Sequence, residues 1–342
     1  IHSTGGYMIY TKLTCKSQFG IGEKTTVLTA SDAGWINGHT YALYGPLSLG
    51  STVVMIEKPF SLTDKKKFEK MIKDLNINII YLPVTLIKLL RSLKVRFLNR
   101  DILNIKSIGS MGEPLSPDVC KWYINLFFKK EKPVINTYFQ TETGGIICSS
   151  VYSDKHKVPH GSVGKPLNKS IKISQLVNNE KSELLIKKPW PGCMINVING
   201  EKVWNNYWTK KKEFRLFDLG TRDKQGNYFI NGRIDDVINI RGHRIGSEEF
   251  ESIVLKIRDI IECCAISIPD ELEGGKFLLF VVPRKKNIIK KDKVIKIIKE
   301  YFGAFAIPKD IYLLKDLPKT RSGKIIRRII RNIAMKKFEK KR

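Results

Sequence analysis

Between about Thr52 and Tyr138, short apolar runs of β-rich character alternate with segments patterned as helices. The runs are TVVMI, INIIY, IKSIGS and PVINTY, and the helical patterns cover Asp64 to Leu75, Thr85 to Leu93 and Asp118 to Phe128. This rhythm predicts a parallel sheet crossed by helices. In such sheets ligands sit beyond the carboxyl ends of the strands, which directs attention to SMGEP (Ser110 to Pro114) and TYFQTETGG (Thr137 to Gly145). From Gly161 to Gly232 the pattern changes to short strands, ELLIK, MINVI and NYFI, punctuated by Gly, Pro and Asn, and predicts a small antiparallel or barrel-like unit. Beyond Arg233, IDDVINIRGHRIGSEEFESIVLKI reads as a strand, a Gly turn and a helix that Ser247 caps, with Glu248 and Glu249 near the positive end of its dipole. Strands IECCAISI and FLLFVVP, a helix over Lys293 to Tyr301 and a last basic helix from Lys324 complete a small α+β unit. The expected domains are 1–234, with an α/β part (1–160) and a β-rich part (161–234), and 235–342.

Composition adds bounds. A chain of 342 residues, 42% hydrophobic, has material for two or three cores. A net charge of +28 raises the question of nucleic acid or an anionic membrane, but the lysines are scattered in short runs and no basic stretch is interleaved with aromatics as single-strand binding would use. No specific nucleic acid is expected. No apolar run approaches the length of a membrane helix, so no membrane partner is expected either. The six cysteines show no C-x-x-C spacing and read as reduced and structural, with adjacent Cys263 and Cys264 on opposite sides of a strand; a cytoplasmic setting is the expectation. The chain opens on Ile1 rather than Met, which points to a sequence that begins inside something larger.

Three segments carry chemistry together. YFQTETGG offers the hydroxyls of Thr141 and Thr143, the carboxylate of Glu142 and two glycines at a strand end, a combination suited to phosphate and Mg²⁺ but also to a polar turn. FDLGTRDKQGNYFINGRIDDVINIRGHRIG brackets Arg233 between Asp218 and Arg244, a carboxylate for ribose hydroxyls and guanidinium groups for phosphoryl oxygens, though each taken singly is more often a solvated charge. LPKTRSGKIIRRIIR sets Lys324 behind a Ser-Gly turn, a mobile point charge able to enter a site formed elsewhere. His39 and His243 have no second ligand at helical or turn spacing and read as satisfied polar contacts.

These segments, in this order, resemble the acyl-adenylate-forming superfamily. Within it HSTGGY, DAGWINGHTYALYGPL, GEPLSP, TYFQTETGG and LPKTRSGKIIRRIIR are most similar to the acetyl-CoA synthetases. The resemblance implies the C-terminal part of an adenylate-forming large domain, followed by a mobile C-terminal α+β domain. It implies an acetate–CoA ligase that uses ATP, Mg²⁺ and coenzyme A and passes through an acetyl-adenylate. Gly112, Glu113 and Pro114 would line adenine, Tyr138 would stack on it, and Asn136 would accept from its amino group where the family usually has Asp. Thr137, Phe139, Gln140 and Thr141 complete the implied AMP site, with Thr141 on the α-phosphate. Asp218 would hold the ribose, Arg233 and Arg244 ribose and phosphate oxygens, Glu142 the Mg²⁺, and Lys324 would be the adenylation lysine. Asp235 matches the hinge, and Arg241, Gly242 and Lys299 fall at CoA positions.

Trp35, Ile36, Asn37, Met111 and Phe139 match the family's acyl pocket, although Ile36 and Met111 read equally well as apolar core. Asn37 stands for a Thr, Met111 for a Val and Phe139 for a Trp; their bulk implies acetate first, propionate second and butyrate poor. Arg241 replaces a small residue and Lys299 an Arg. The Ser/Thr/Gly-rich loop that precedes HSTGGY in the family is absent from these 342 residues, as is roughly the first half of the enzyme. Three consequences are expected: no activity of the chain by itself, an N-terminal half of the same enzyme as a partner, and an apolar face or strand edge left uncovered. The alternatives are a propionyl-CoA or other short-chain acyl-CoA synthetase, or a non-catalytic remnant that binds a partner.

Overall fold

The computed structural model describes residues 1–57, 59–97, 104–129, 132–153, 158–173, 182–234, 237–240, 243–268, 276–284, 289–320 and 325–339. Two compact units divide at Ile230 and Asn231.

In the first unit α1 (Thr4–Thr14) runs into a π-helical turn (Cys15–Phe19), followed by β1 (Thr26–Thr29). Next, α2 (Ile36–His39) passes through a second π-helical turn (Thr40–Tyr44) into α3 (Gly45–Leu47). A Cβ on Gly45 would stand 2.3 Å from Cys15 Sγ and 2.7 Å from the Thr40 carbonyl, so only glycine lets these two helical segments approach. Then come β2 (Thr52–Val54), α4 (Lys65–Asp74), β3 (Ile79–Pro83), α5 (Val84–Ser92), β4 (Ser107–Met111), α6 (Pro117–Phe127) and β5 (Val134–Asn136). The Asp64 carboxylate caps α4 by accepting from the Lys66 and Lys67 amides. The strands form a parallel sheet in the order β2-β1-β3-β4-β5.

Neighbouring strand residues go to opposite faces of this sheet. Leu28, Ile80, Leu82, Ile108 and Val134 join Phe68, Ile72, Leu86, Leu90, Tyr123 and Phe127 of α4–α6 in one core. Val27, Ile79, Tyr81 and Ile135 join Cys15, Phe19, Tyr41 and Met111 in another. Because both faces are covered, the strands read as unbroken apolar runs rather than as alternation. The exposed large apolar residues lie outside the sheet faces: Ile9 (64%) and Leu13 (57%) sit one turn apart on α1, and Met55 (80%) follows β2.

The β-rich part has the short antiparallel pair β6 (Cys148–Ser149) and β7 (Lys165–Pro166), then β8 (Ile171–Ile173), β9 (Ser182–Ile186), α7 (Glu201–Asn206), β10 (Phe214–Arg222) and β11 (Tyr228–Arg233). The last four strands form a sheet ordered β11-β10-β9-β8, antiparallel at β8–β9 and β9–β10. MINVI is not a strand. Met194 makes a single bridge to His2, and Ile195 and Ile198 are exposed at 55% and 75%. The segment instead links the Thr141–Thr143 turn to the first residues, with the Met194 amide donating to the Glu142 carbonyl and the Ile195 amide to that of Ile1.

The second unit opens with the antiparallel hairpin of β12 (Val237–Ile240) and β13 (His243–Gly246), which leads directly into α8 (Ser247–Val254). Gly246, not Ser247, occupies the cap position, and a Cβ there would meet the Asn231 carbonyl at 2.3 Å. Ser247 is already helical, so its hydroxyl cannot cap and has no partner among the described residues. The remaining elements are β14 (Ile260–Ile268), β15 (Lys276–Pro283), α9 (Lys291–Phe302), β16 (Asp310–Leu313) and α10 (Arg327–Glu339), with sheet order β14-β15-β16. Cys263 packs with Phe250, Val294 and Ile298 of α8 and α9, while Cys264 packs with Ile330 and Ala334 of α10. The two thiols therefore serve opposite faces.

One ion pair joins α8, β14 and α10. Glu251 accepts from Arg327 at 2.7 Å and from the Ala265 amide at 2.8 Å, and the charged side chains are only 12% and 10% exposed. Arg327→Ala strands a buried carboxylate and is expected to destabilise this unit by about 3 kcal/mol. Urea unfolding followed by hydrogen exchange at Ala265 checks this, and unchanged protection would contradict it.

Candidate active site

The parallel register sets Ser110 of β4 opposite Asn136 of β5, so the segments leaving these strands start side by side. Ser110 Oγ donates to Asn136 Oδ1 at 2.9 Å, and Asn136 Nδ2 donates to the Ser162 carbonyl at 2.9 Å. An Asp could not make the second bond, so Asn136 has a structural use on top of any contact with a base. Its carbonyl oxygen has two lone pairs, and one acceptance leaves the other for an amino group. Thr137 Oγ1 donates to the Ser110 carbonyl at 2.9 Å and pairs with the Tyr81 hydroxyl. Beyond β4, Gly112 takes φ +87° and opens a turn, followed by Glu113, whose carboxylate meets Lys88 at 3.0 Å, and half-buried Pro114. A cavity of about 120 Å³ lies beside Asn136, lined also by Cys120, Lys132, His160, Gly161 and Ser162.

A second strand bundle supplies Asp218. The β9–β10 register shifts between Arg215 and Leu219, and Phe217 adopts φ +54°; such a bulge re-aims the next side chain. Asp218 is 6% exposed, and its Oδ2 accepts from the Tyr138 hydroxyl at 2.6 Å and from Gln140 Nε2. Gln140 Nε2 also reaches the Leu216 carbonyl at 2.6 Å. The structure thus brings Tyr138, Gln140 and Asp218 into one buried polar cluster.

The loop between them is held from several sides. Thr141–Thr143 form one tight turn, with Thr141 exposed and Thr143 buried. Glu142 Oε1 accepts from the Tyr207 hydroxyl at 2.8 Å. Gly144, at φ +69°, lies so close to the Gly192 carbonyl that a Cβ would stand 2.0 Å from it. Thr40 Oγ1 donates to the Gly144 carbonyl at 3.1 Å, Tyr10 to the Ile146 carbonyl at 2.6 Å, and Tyr41 accepts from the Ile146 amide at 2.8 Å. Burial pushes the phenols of Tyr10 and Tyr41 up from their ordinary values, which keeps them neutral hydrogen-bonding groups. Sequence reading missed Tyr10, Thr40, Tyr41 and Tyr207. Thr40 and Tyr41 lie inside a quoted motif, but nothing in spacing tells which residue of TYALY turns toward a distant loop, and Tyr10 and Tyr207 lie outside every quoted motif.

Among the acyl-pocket candidates, Met111 (4% exposed) packs in a cluster with Tyr41, and half-buried Phe139 meets Tyr41 edge-on at 5.4 Å. Trp35 is 38% exposed; Ile36 and Asn37 start α2, and Asn37 is buried. In the second unit Arg233 is exposed at the end of β11, Arg244 lies on β13 opposite Asn239, and Lys299 is exposed on α9. Asp235, Arg241, Gly242 and Lys324 lie outside the described residues. Among the described residues no three His, Cys, Asp or Glu gather as a metal cluster, and His39 Nε2 bonds the Ala33 carbonyl. Glu142 is a single carboxylate, which suits Mg²⁺ bound largely through nucleotide phosphates. No helix among the described residues is long and apolar enough to cross a membrane.

The fold is an α/β sheet with polar loops gathered beyond β4 and β5, and comparison with known proteins gives its class. Residues 1–194 match the AMP-binding enzyme family and residues 249–324 the AMP-binding enzyme C-terminal domain. The chain belongs to the AMP-binding enzymes. It is 34% identical to an acetyl-coenzyme A synthetase of Leptospira biflexa, over 99% of this chain and 54% of that protein, and 33% identical to acetyl-coenzyme A synthetase 1 of Kluyveromyces lactis, over 97% and 50%. The chain spans about half the length of the curated relatives it matches. Its fold is similar to an anthranilate CoA ligase, AuaEII, solved with anthranoyl-AMP (TM-score 0.79, 20% identity, 97% of this chain and 64% of that one). It is similar also to ATP-bound MatB of Rhodopseudomonas palustris (TM-score 0.81, 19% identity, 96% and 64%).

Asp218→Ala removes the acceptor of a buried phenol and is expected to cost about 2 kcal/mol of stability, whereas Asp218→Asn keeps an oxygen there and should cost less. Equal urea midpoints for the two variants would show that Tyr138 does not depend on that oxygen.

Proposed function

We infer that this chain carries the C-terminal part of an ATP-dependent acetate–CoA ligase. The observation that carries the reading is the buried Tyr138–Gln140–Asp218 cluster at the exit of β5, one strand from the Gly112–Pro114 turn of β4. Tyr138 and the Gly112–Pro114 turn would hold adenine with Asn136, Asp218 would take the ribose, and Thr141, Arg233 and Arg244 would take phosphate and ribose oxygens. Identity to acetyl-coenzyme A synthetases across nearly the whole chain supports acetate as the acid.

In the proposed reaction an acetate oxygen attacks the α-phosphorus of ATP, and the bond to diphosphate breaks. Lys324 would neutralise charge between carboxylate and phosphate as the acetyl-adenylate forms. The thiol of CoA then attacks the acetyl carbonyl carbon and releases AMP. Mg²⁺ held through Glu142 would neutralise phosphate charge. Asp235 would act as the hinge between the two half-reactions, Gly242 would line the pantetheine path, and Arg241 and Lys299 would face CoA. The AMP-forming acid–thiol ligase class of the relatives supports this assignment over a binding protein.

Assayed as these 342 residues alone, about half the length of the curated relatives, the chain is expected to show no acetate-dependent exchange of diphosphate into ATP, because positioning governs phosphoryl chemistry. Ile9 and Leu13, exposed one turn apart on α1, are apolar side chains that a further polypeptide would cover. Supplying the N-terminal half of the enzyme should restore exchange, with acetate preferred and butyrate poor. A folded complex that stays inactive would favour a non-catalytic remnant, and a preference for butyrate would defeat acetate. In the restored enzyme Lys324→Ala should lower adenylate formation by about 100-fold or more and spare thioester formation from supplied acetyl-AMP. Equal loss in both half-reactions would remove Lys324 from its assigned role.

A further inference from the structure

The acyl-pocket candidates include one polar side chain whose hydrogen-bonding groups no other described residue meets. Asn37 is 6% exposed, and neither its Nδ2 nor its Oδ1 has a hydrogen-bond partner among the described residues. Its neighbours on the same helical stretch are satisfied: His39 bonds the Ala33 carbonyl, and Thr40 pairs with Tyr7 and the Gly144 carbonyl. Asn37 stands one turn before Tyr41, whose ring meets Phe139 at 5.4 Å and shares a core cluster with Met111. A buried amide with both a donor and an acceptor unmet is costly, so an occupant that meets both gains over an occupant of equal size that meets neither.

We propose that Asn37, one turn before the Tyr41 that packs with Met111 and Phe139, makes the acyl pocket implied by the resemblance select on polarity as well as size, so that among acids one heavy atom longer than acetate it takes a short 2-hydroxy acid, hydroxyacetate, over propionate. This rests on the acyl-adenylate reading above. A hydroxyl both donates and accepts and can satisfy Oδ1 and Nδ2 together, whereas the methyl of propionate leaves both unpaired. An ammonium group of the same size would meet only Oδ1 and bring a charge out of water. Sites that hydrogen-bond a substrate hydroxyl discriminate against the analogue lacking it far better than apolar pockets discriminate by a methylene.

The test measures binding of three non-hydrolysable adenylate mimics, the acetyl, hydroxyacetyl and propionyl sulfamoyl adenosines, to the chain and to Asn37→Leu and Asn37→Thr. The chain is expected to bind the hydroxyacetyl mimic about tenfold more tightly than the propionyl mimic. Asn37→Leu, close in volume and without polar atoms, should abolish or reverse that ratio, and Asn37→Thr should retain part of it. Asn37→Leu should also raise the thermal midpoint, because it removes an unsatisfied buried group; a lowered midpoint would show that the amide is paired and would overturn the inference. Binding of the acetyl mimic with equal affinity for the other two would sink the inference and leave the acyl-adenylate reading standing. Failure of all three mimics to bind the folded chain would sink both.

Discussion

The parallel pairing of β4 with β5 is the constraint on which the rest of the site depends. It sets Ser110 opposite Asn136, and their side chains bond to each other beside the backbone bond from the Thr137 amide to the Ser110 carbonyl. Asn136 is held at both ends of its amide, by Ser110 and by the Ser162 carbonyl, so its orientation is not free to vary. Thr137 continues the same device one residue on, bonded to the Ser110 carbonyl and to Tyr81. In a low-dielectric interior such a connected network is rigid, since releasing any one member strands another. Tyr138 follows directly and is aimed at Asp218.

The glycines and tyrosines around TETGG convert that rigid strand end into a rigid loop. Gly144 can lie against the Gly192 carbonyl only because it has no Cβ, and Thr40, Tyr10 and Tyr41 reach the loop backbone from helices. Both helical segments involved contain π-helical turns, Cys15–Phe19 and Thr40–Tyr44, meeting where Gly45 faces Cys15. Single π turns of this kind are frequent at functional sites, where they shift side-chain facing by a fraction of a turn.

The C-terminal unit adds ion pairs to its two apolar clusters. Glu251 ties α8 to β14 and α10, and Lys319 bonds both oxygens of Glu262 at 2.9 Å and Asp316 at 2.6 Å. The hydrogen bond from Lys319 holds the Asp316 carboxyl below its ordinary value. Lys319 also bridges Ile325 in antiparallel fashion, and the Ile326 amide donates to the Pro318 carbonyl at 2.8 Å. The chain is therefore pinned on both sides of residues 320–324, the stretch that carries Lys324.

Apolar periodicity in the sequence determined the β2-to-β5 alternation, the helices between, strands β14 and β15 and the opposed faces of Cys263 and Cys264, because burial on a pleated or helical surface leaves a local period; the short strands β1 and β16, which complete the two sheets, were not legible this way. Motif order singled out Gly112 to Pro114, Asn136 to Glu142 and Asp218 as candidates. MINVI and Ser247 mark where local signals fail: an alternating segment without a partner strand stays a loop, and a good capping residue cannot cap once the chain turns helical one residue earlier. The association of Asp218 with Tyr138 and Gln140, the tyrosine clamps on residues 144–146 and the unmet amide of Asn37 were decided by tertiary structure. Each depends on residues far apart in sequence whose meeting is set by strand register, a bulge at Phe217 and the close approach of two helices at Gly45, and none of these leaves a period along the chain.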